Sequence, residues 1–393
     1  MKNKFSVIFL ILAFMMIITC FCGFTNISNN IVSADEKIEI KSKSAYVIDA
    51  DTKTVIFSKD ENRRLPIASM CKIMTLLLYF EAQDCGDISI DEQIKISENS
   101  AGMGGSQVFL EANAEYSAGE LIKSIVVASA NDACVAIAER LYGDEQDFVQ
   151  KMNEKAQELG MNNTVFVNCT GLPKPGQYSC AQDVATMFTE LIKHEDYFRY
   201  SRIWTDKVLH PKDRVCEISN TNKLIRFYNG CDCGKTGYTV EAGHCLVASA
   251  KRGGMRLISV VISAPDGKTR FKETSSMFNY GFANYTNKMI LDQNKPLELD
   301  VKVLGGKPDK LEVVSERSVF LFSKKNEKRS VELDFVPINK IKAPIKKGDI
   351  VGKICVYENN IEIDCVNVLA NEDVEGKTYF DVIKDIWQNW ALI

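Results

Sequence analysis

Ser69 and Lys72 stand three residues apart where an apolar stretch with helical spacing begins (Ile73, Met74, Leu76, Leu77, Leu78, Phe80). On a helix, residues at that separation share one face. A hydroxyl at a helix N-terminus meets free N–H groups and the positive end of the dipole, which favour an alkoxide or oxyanion. A lysine in apolar surroundings has its charged form disfavoured, so its pKa falls. The pair reads as a nucleophile beside an amine base, with no histidine required. Alone, Ser-x-x-Lys is a frequent accident, and any helical lysine can snorkel to water. Here two more polar elements accompany it. Ser129-Ala130-Asn131 interrupts a helical pattern, and Lys235-Thr236-Gly237 opens a late strand-like segment.

These residues need elements to hold them. Ser44–Asp49 and Thr54–Ser58 alternate like two strands around a polar turn, so a hairpin is predicted, closed by Pro66. A helix is expected from about Ser69 to Ala82. Ser117-Ala-Gly-Glu120 has a capping-box pattern, with Leu121, Ile122, Ile125 and Val126 on one helical face behind it. Further helices are predicted over 132–141 and 145–159, over a stretch capped at Ser179-Cys-Ala-Gln182 that reaches His194, and over about 272–285. Residues 245–250 and 255–263, around Gly253-Gly254, read as an antiparallel hairpin of buried strands. Helices inserted between early and late strands give an α+β unit, a strand–helix–strand sandwich. From about residue 291 to 374 the pattern becomes short alternating strands, a small all-β domain. Over 375–393, Tyr379, Val382, Ile383, Ile386, Trp387 and Trp390 share one helical face, too short a run to span a bilayer but suited to lie in its interface. The competing reading is a terminal helix docked on the β domain.

The three polar elements and their flanks resemble the low-molecular-mass penicillin-binding proteins, the serine D-alanyl-D-alanine carboxypeptidases. The flanks are Pro66-Ile-Ala-Ser69, Ser129-Ala-Asn-Asp-Ala133, Asn168-Cys-Thr-Gly-Leu172, Tyr178-Ser-Cys-Ala-Gln-Asp183 and Gly234-Lys-Thr-Gly-Tyr-Thr-Val-Glu-Ala-Gly243. The resemblance covers the chain from about residue 37 to its end, and implies a penicillin-binding/β-lactamase-like catalytic domain (35–290), an antiparallel sheet with helices on both sides. A small β domain (291–374) and an amphipathic membrane-associating helix (375–393) follow. It implies that Ser69 attacks the penultimate D-Ala carbonyl, that Lys72 takes its proton, and that Ser129 relays a proton to the leaving amine. Asn131 would hold the substrate amide and help orient Lys72. Lys235 would supply positive charge, Thr236 would bind the terminal carboxylate, and Gly237 would let substrate lie on the strand edge. The N–H groups of Ser69 and Tyr238 would form the oxyanion hole. Arg270 would be the carboxylate-binding arginine. Peptidoglycan stems ending in D-Ala-D-Ala are the implied substrate and β-lactams the implied covalent inhibitors. Ala130 departs from the family's usual glycine, and Cys71 from its usual threonine. His244 lies near the Lys-Thr-Gly strand and is assigned a supporting place.

Two other functions compete. A class A β-lactamase would need a Glu-x-x-Leu-Asn element to position its deacylating water. Between Ser129 and Lys235 the nearest look-alike, Glu158-Leu-Gly-Met-Asn162, has the wrong spacing. A non-catalytic penicillin-binding or peptidoglycan sensor would not need every polar position filled.

Composition bounds the rest. The 393 residues suit two folded units, and 46% hydrophobic with 25% charged residues marks globular chain. Lys2 and Lys4, the apolar run 5–24 and Val32-Ser33-Ala34 read as an export signal cut after Ala34, or kept as an anchor. Cys20 and Cys22 lack the small residues that precede a lipoprotein cysteine. Cleavage would remove two lysines and no acid, taking the formal charge from −4 to −6, which leaves no electrostatic footprint for nucleic acid. Eleven of the 13 cysteines would remain, with no zinc-ligand spacing, so no metal or cofactor is expected. Most read as small buried apolar residues, with Cys355 and Cys365 the one pair singled out for a bridge.

Overall fold

Strand β1 (Ser44–Asp49) is buried along its whole length, so both of its faces must be covered. Alternation sends Tyr46 and Ile48 into one core, Ala45 and Val47 into another. The structure, a computed structural model, describes residues 38–338 and 340–390. The signal predicted over 1–34 lies outside them.

Five antiparallel strands form the main sheet in the order β2-β1-β5-β4-β3, where β2 is Val55–Lys59, β3 Cys231–Thr239, β4 Gly243–Arg252 and β5 Met255–Ala264. The early hairpin joins the late one through β1 and β5, with Ser44 opposite Ile262. Strand β3, which carries Lys235-Thr236-Gly237, is an edge of the sheet.

One face packs against α1 (Lys72–Cys85), α2 (Ala118–Ala128), α3 (Asn131–Tyr142), α4 (Glu145–Glu158) and α5 (Ala181–Leu191). The other is covered by α6 (Gly267–Asn284), which drives Met277 and Phe278 against Val47, Leu246 and Leu257. Full burial of each such side chain stabilises by roughly 1.5–3 kcal/mol relative to exposure.

The predicted elements are present, with local corrections. Ser117 Oγ accepts from Glu120 N, but the Glu120 carboxylate pairs with Lys123, so only half of the capping box forms. Helix α5 is capped by Cys180, whose sulfur accepts from Asp183 N, because the Ser179 hydroxyl is held by Thr164. It stops at Leu191, short of His194. Helix α6 starts five residues earlier than expected, where Asp266 Oδ1 accepts from Lys268 N and Thr269 N. A surface hairpin, Thr205–Leu209 with Val215–Ser219, was not anticipated.

Beyond α6, Tyr285–Leu291 pairs with Val319–Lys324, and a four-stranded antiparallel sheet follows. Its central hairpin, Ile350–Glu358 with Ile361–Ala370, turns at Asn359 and Asn360, both with positive φ, the conformation a tight hairpin turn demands. Cys355 and Cys365 face each other across it and are disulfide-bonded. Last comes α7 (Tyr379–Trp390). Thr378 Oγ1 accepts from Asp381 N, and Asp381 also pairs with Lys307. Tyr379, Phe380, Ile386 and Trp387 remain exposed. No described helix is long and apolar enough to cross a membrane.

Candidate active site

Ser69 lies in a single 3-10 turn, Ala68–Cys71, that runs straight into α1. Ala68 has φ +48°, a left-handed conformation costly for a residue with a Cβ. The turn is held from both sides by glycines. A Cβ on Gly171 would stand 2.0 Å from Ala68 O, and one on Gly237 would stand 2.6 Å from Ile67 O and 3.2 Å from Ser69 N. Gly237 therefore lets strand β3 close on the turn that carries the serine. This steric reason adds to the substrate access expected from sequence.

Lys72 is fully buried. Its Nζ donates to Ser69 Oγ at 3.1 Å and to Thr170 O at 2.6 Å. Burial pushes its pKa down, so the neutral amine is favoured. Cys71, beside it, points to Asn168 O and is buried, with its thiol pushed well up by desolvation. It is no reactive thiolate.

Ser129 ends α2 in a left-handed conformation, φ +63°, which kinks the chain into α3 and turns its hydroxyl toward β3. Lys235 Nζ donates to Ser129 Oγ at 2.7 Å and to Thr236 O at 3.1 Å. Lys235 is also buried, and desolvation first, then the nearby Lys72, push its pKa well below the usual lysine value. Asn131 Nδ2 donates to Gly104 O at 2.6 Å, while its Oδ1 is buried without a protein partner. Among the described residues no hydrogen bond joins Asn131 to Lys72, whose amine is held by Thr170 O instead. Asp132 accepts from Val108 N and Leu110 N, which ties the 104–110 loop to the start of α3.

Arg270, on the first turn of α6, donates from Nη1 to Gly237 O at 3.2 Å and Cys245 O at 3.3 Å, and its Nε is buried without a partner. Thr236 is buried in β3. The Tyr238 ring is exposed and stacks on His244 with centroids 4.4 Å apart. Burial, and then Arg270, push the His244 pKa down; it lies against Tyr238 with no hydrogen bond to Ser69 among the described residues.

The structure thus brings Ser69 to Lys72, Ser129 to Lys235, and Gly237 to both Ser69 and Arg270. Sequence reasoning missed Thr170 as a holder of the lysine, and the Gly104–Ser106 segment that fixes Asn131. Asn131 N donates to Ser106 O at 2.7 Å. The glycine-rich run Gly102-Met-Gly-Gly-Ser106 was the available signal, since clustered glycines mark close backbone approach.

An antiparallel sheet flanked by helices, with a serine–lysine pair at a helix tip and a second such pair against the edge strand, defines the penicillin-recognising serine hydrolases. Residues 29–266 match the D-alanyl-D-alanine carboxypeptidase family, and residues 285–376 match the penicillin-binding protein 5 C-terminal domain. The chain belongs to the D-alanyl-D-alanine carboxypeptidase family. It is 40% identical to D-alanyl-D-alanine carboxypeptidase DacF of Bacillus subtilis, over 89% of this chain and 90% of that one. It is 30% identical to DacC of Escherichia coli, over 90% of each. Among solved structures, penicillin binding protein 5 from Haemophilus influenzae superposes with a TM-score of 0.69 at 28% identity, covering 86% of this chain and 99% of the other.

Proposed function

We propose that this serine carboxypeptidase removes the terminal D-Ala of peptidoglycan pentapeptide stems through an acyl-enzyme on Ser69. The observation that carries the reading is a buried amine 3.1 Å from a hydroxyl at the start of a helix. Ser69 Oγ attacks the penultimate D-Ala carbonyl and its proton passes to neutral Lys72. The N–H groups of Ser69 and Tyr238 receive the developing oxyanion. Ser129, bonded to Lys235, relays that proton from Lys72 to the leaving D-Ala amine as the C–N bond breaks, which returns Lys72 to its neutral form. Water then hydrolyses the ester, with Lys72 again the base. Asn131 binds the substrate amide through its unpartnered Oδ1.

The substrate carboxylate is received by Thr236, Lys235 and Arg270. Lys235 is pushed toward its neutral form by burial, and an arriving carboxylate restores its charge. Arg270 offers the planar guanidinium that suits such a group.

A β-lactam takes the same attack, but its amine stays tethered. No carboxylate is bonded to Ser69 or Lys72 among the described residues, so nothing positions a fast deacylating water as in class A β-lactamases. Penicillin is therefore an inhibitor. Action on peptidoglycan places the enzyme outside the cytoplasm. We assign residues 1–34 to an export signal, 35–290 to the catalytic domain, 291–374 to a spacer domain, and 375–393 to a helix that lies on the outer face of the cytoplasmic membrane. The exposed Phe380, Ile386 and Trp387 support that last assignment.

The test is labelling with a fluorescent penicillin, alongside D-Ala release from a diacetyl-L-Lys-D-Ala-D-Ala peptide. Ser69→Ala is expected to abolish both. Equal release by the two proteins would discard Ser69 as the nucleophile.

A further inference from the structure

A cavity of about 330 Å³ opens beside the nucleophile. Ile67 and Ala68, the two residues before Ser69, form one wall. Thr239 and Glu241, which follow Lys235-Thr236-Gly237 along the chain, form another. The loop Leu172-Pro173-Lys174-Pro175 closes the third. Ser129, Lys235 and Arg270 are not part of its lining.

The direction of the substrate follows from the function proposed above, on which this inference rests. The terminal carboxylate lies at Thr236 and Arg270, and the scissile carbonyl at the Tyr238 N–H. A peptide laid along the edge of β3 then runs on past Tyr238, toward Thr239 and Glu241. The residue that arrives there is the third of the stem, the one before the two D-alanines.

The cavity has a distinct chemistry. Ile67, Leu172, Pro173 and Pro175 give it apolar walls. Its rim carries two opposite charges. Glu241 is exposed and has no hydrogen bond or ion pair among the described residues. Lys174 has no carboxylate partner among them, and its Nζ touches only Val167 O, at 3.5 Å. Prolines on both sides of Lys174 restrict its backbone. Gln177 pins the loop, accepting from Val167 N and Asn168 N and donating to Leu172 O. The cleft is formed before the ligand arrives, which lowers the entropy lost on binding.

We propose that this cavity is the subsite for the third stem residue and that it selects a diamino dicarboxylic acid such as meso-diaminopimelate. Methylenes lie along Leu172 and Pro173, the distal ammonium pairs with Glu241, and the distal carboxylate pairs with Lys174. A lysine side chain offers only the ammonium, which pairs with Glu241 and leaves Lys174 without a partner.

The test compares L-Ala-γ-D-Glu-X-D-Ala-D-Ala pentapeptides in which X is meso-diaminopimelate, its distal carboxamide, or L-lysine. The readout is kcat/KM for D-Ala release by the full-length protein, with the rate of acylation by benzylpenicillin measured in parallel. Exposed ion pairs are weak, so the wild type is expected to favour the free diaminopimelate peptide by about fivefold. Lys174→Ala is expected to remove that preference by slowing the diaminopimelate peptide alone. Glu241→Gln is expected to slow both the diaminopimelate and the lysine peptides. Benzylpenicillin acylation stays unchanged in both variants. Equal wild-type rates on all three peptides, or a Lys174→Ala variant with the preference intact, would overturn the subsite while leaving Ser69 chemistry standing. Absence of penicillin acylation in the wild type would instead strike the Ser69 reading itself.

Discussion

At Ser69 the serine supplies the nucleophile, but the lysine decides when it works. Lys72 has its pKa lowered by burial, and only the neutral amine accepts a proton. The acylation rate should therefore rise with pH and level off through a limb lying below the ordinary lysine value of about 10.4. Lys72→Arg keeps the charge and much of the length but cannot deprotonate. Its acylation by benzylpenicillin should fall by about 10²–10⁴-fold and lose that limb, the usual worth of a general base. A variant that acylates at the wild-type rate would remove Lys72 from the base role. The sequence made this pair legible because hydroxyl, amine and helix start are all local facts. What held the lysine was not legible. Thr170 O acts through a backbone carbonyl, which leaves no side-chain signature, and it arrives from a loop 98 positions away.

Between elements, the tightest demand is made by Gly237 on β3. Its missing Cβ lets the strand meet the Ala68–Cys71 turn, and the atom it would strike, Ile67 O, is backbone and cannot rotate aside. Gly237→Ala should destabilise the fold by about 1–3 kcal/mol, the range of small-to-large changes in packed sites, and read out as a lower thermal midpoint. Acylation should slow as well, because the displaced turn carries Ser69. A variant with both values unchanged would show that the turn has slack. Periodicity located the long helices and the late hairpin, since many residues vote for each. Ends were read less well, because they depend on single competitions. Ser179 looked the better cap than Cys180, yet Thr164 had claimed its hydroxyl. The Asp266 cap was hidden by the glycine that follows it, a weak helix former.

At the scale of the whole molecule, Tyr379, Phe380, Ile386 and Trp387 of α7 stand exposed among the described residues. If a membrane surface covers them, deleting residues 379–393 from the signal-processed protein should release it to the soluble fraction while penicillin acylation stays intact. A truncated protein that still sediments with membranes would end the anchoring role. The order of catalytic part, β part and terminal helix was readable from the change in periodicity along the chain. The hairpin over 205–219 was not, because its strands are short and largely exposed, so no buried alternation marks them.

The pairing of β1 with β5 also sets the order in which this molecule can form. Ser44 finds its partner only when Ile262 is available, after nearly the whole catalytic part has been threaded out. Contacts so distant along a polymer close slowly, because the loop between them must be gathered first. Until then the first hairpin has one strand flank bare and the core on both of its sides is unmade. A chain built this way stays loose while its first half stands alone, and locks only once the later half has been made.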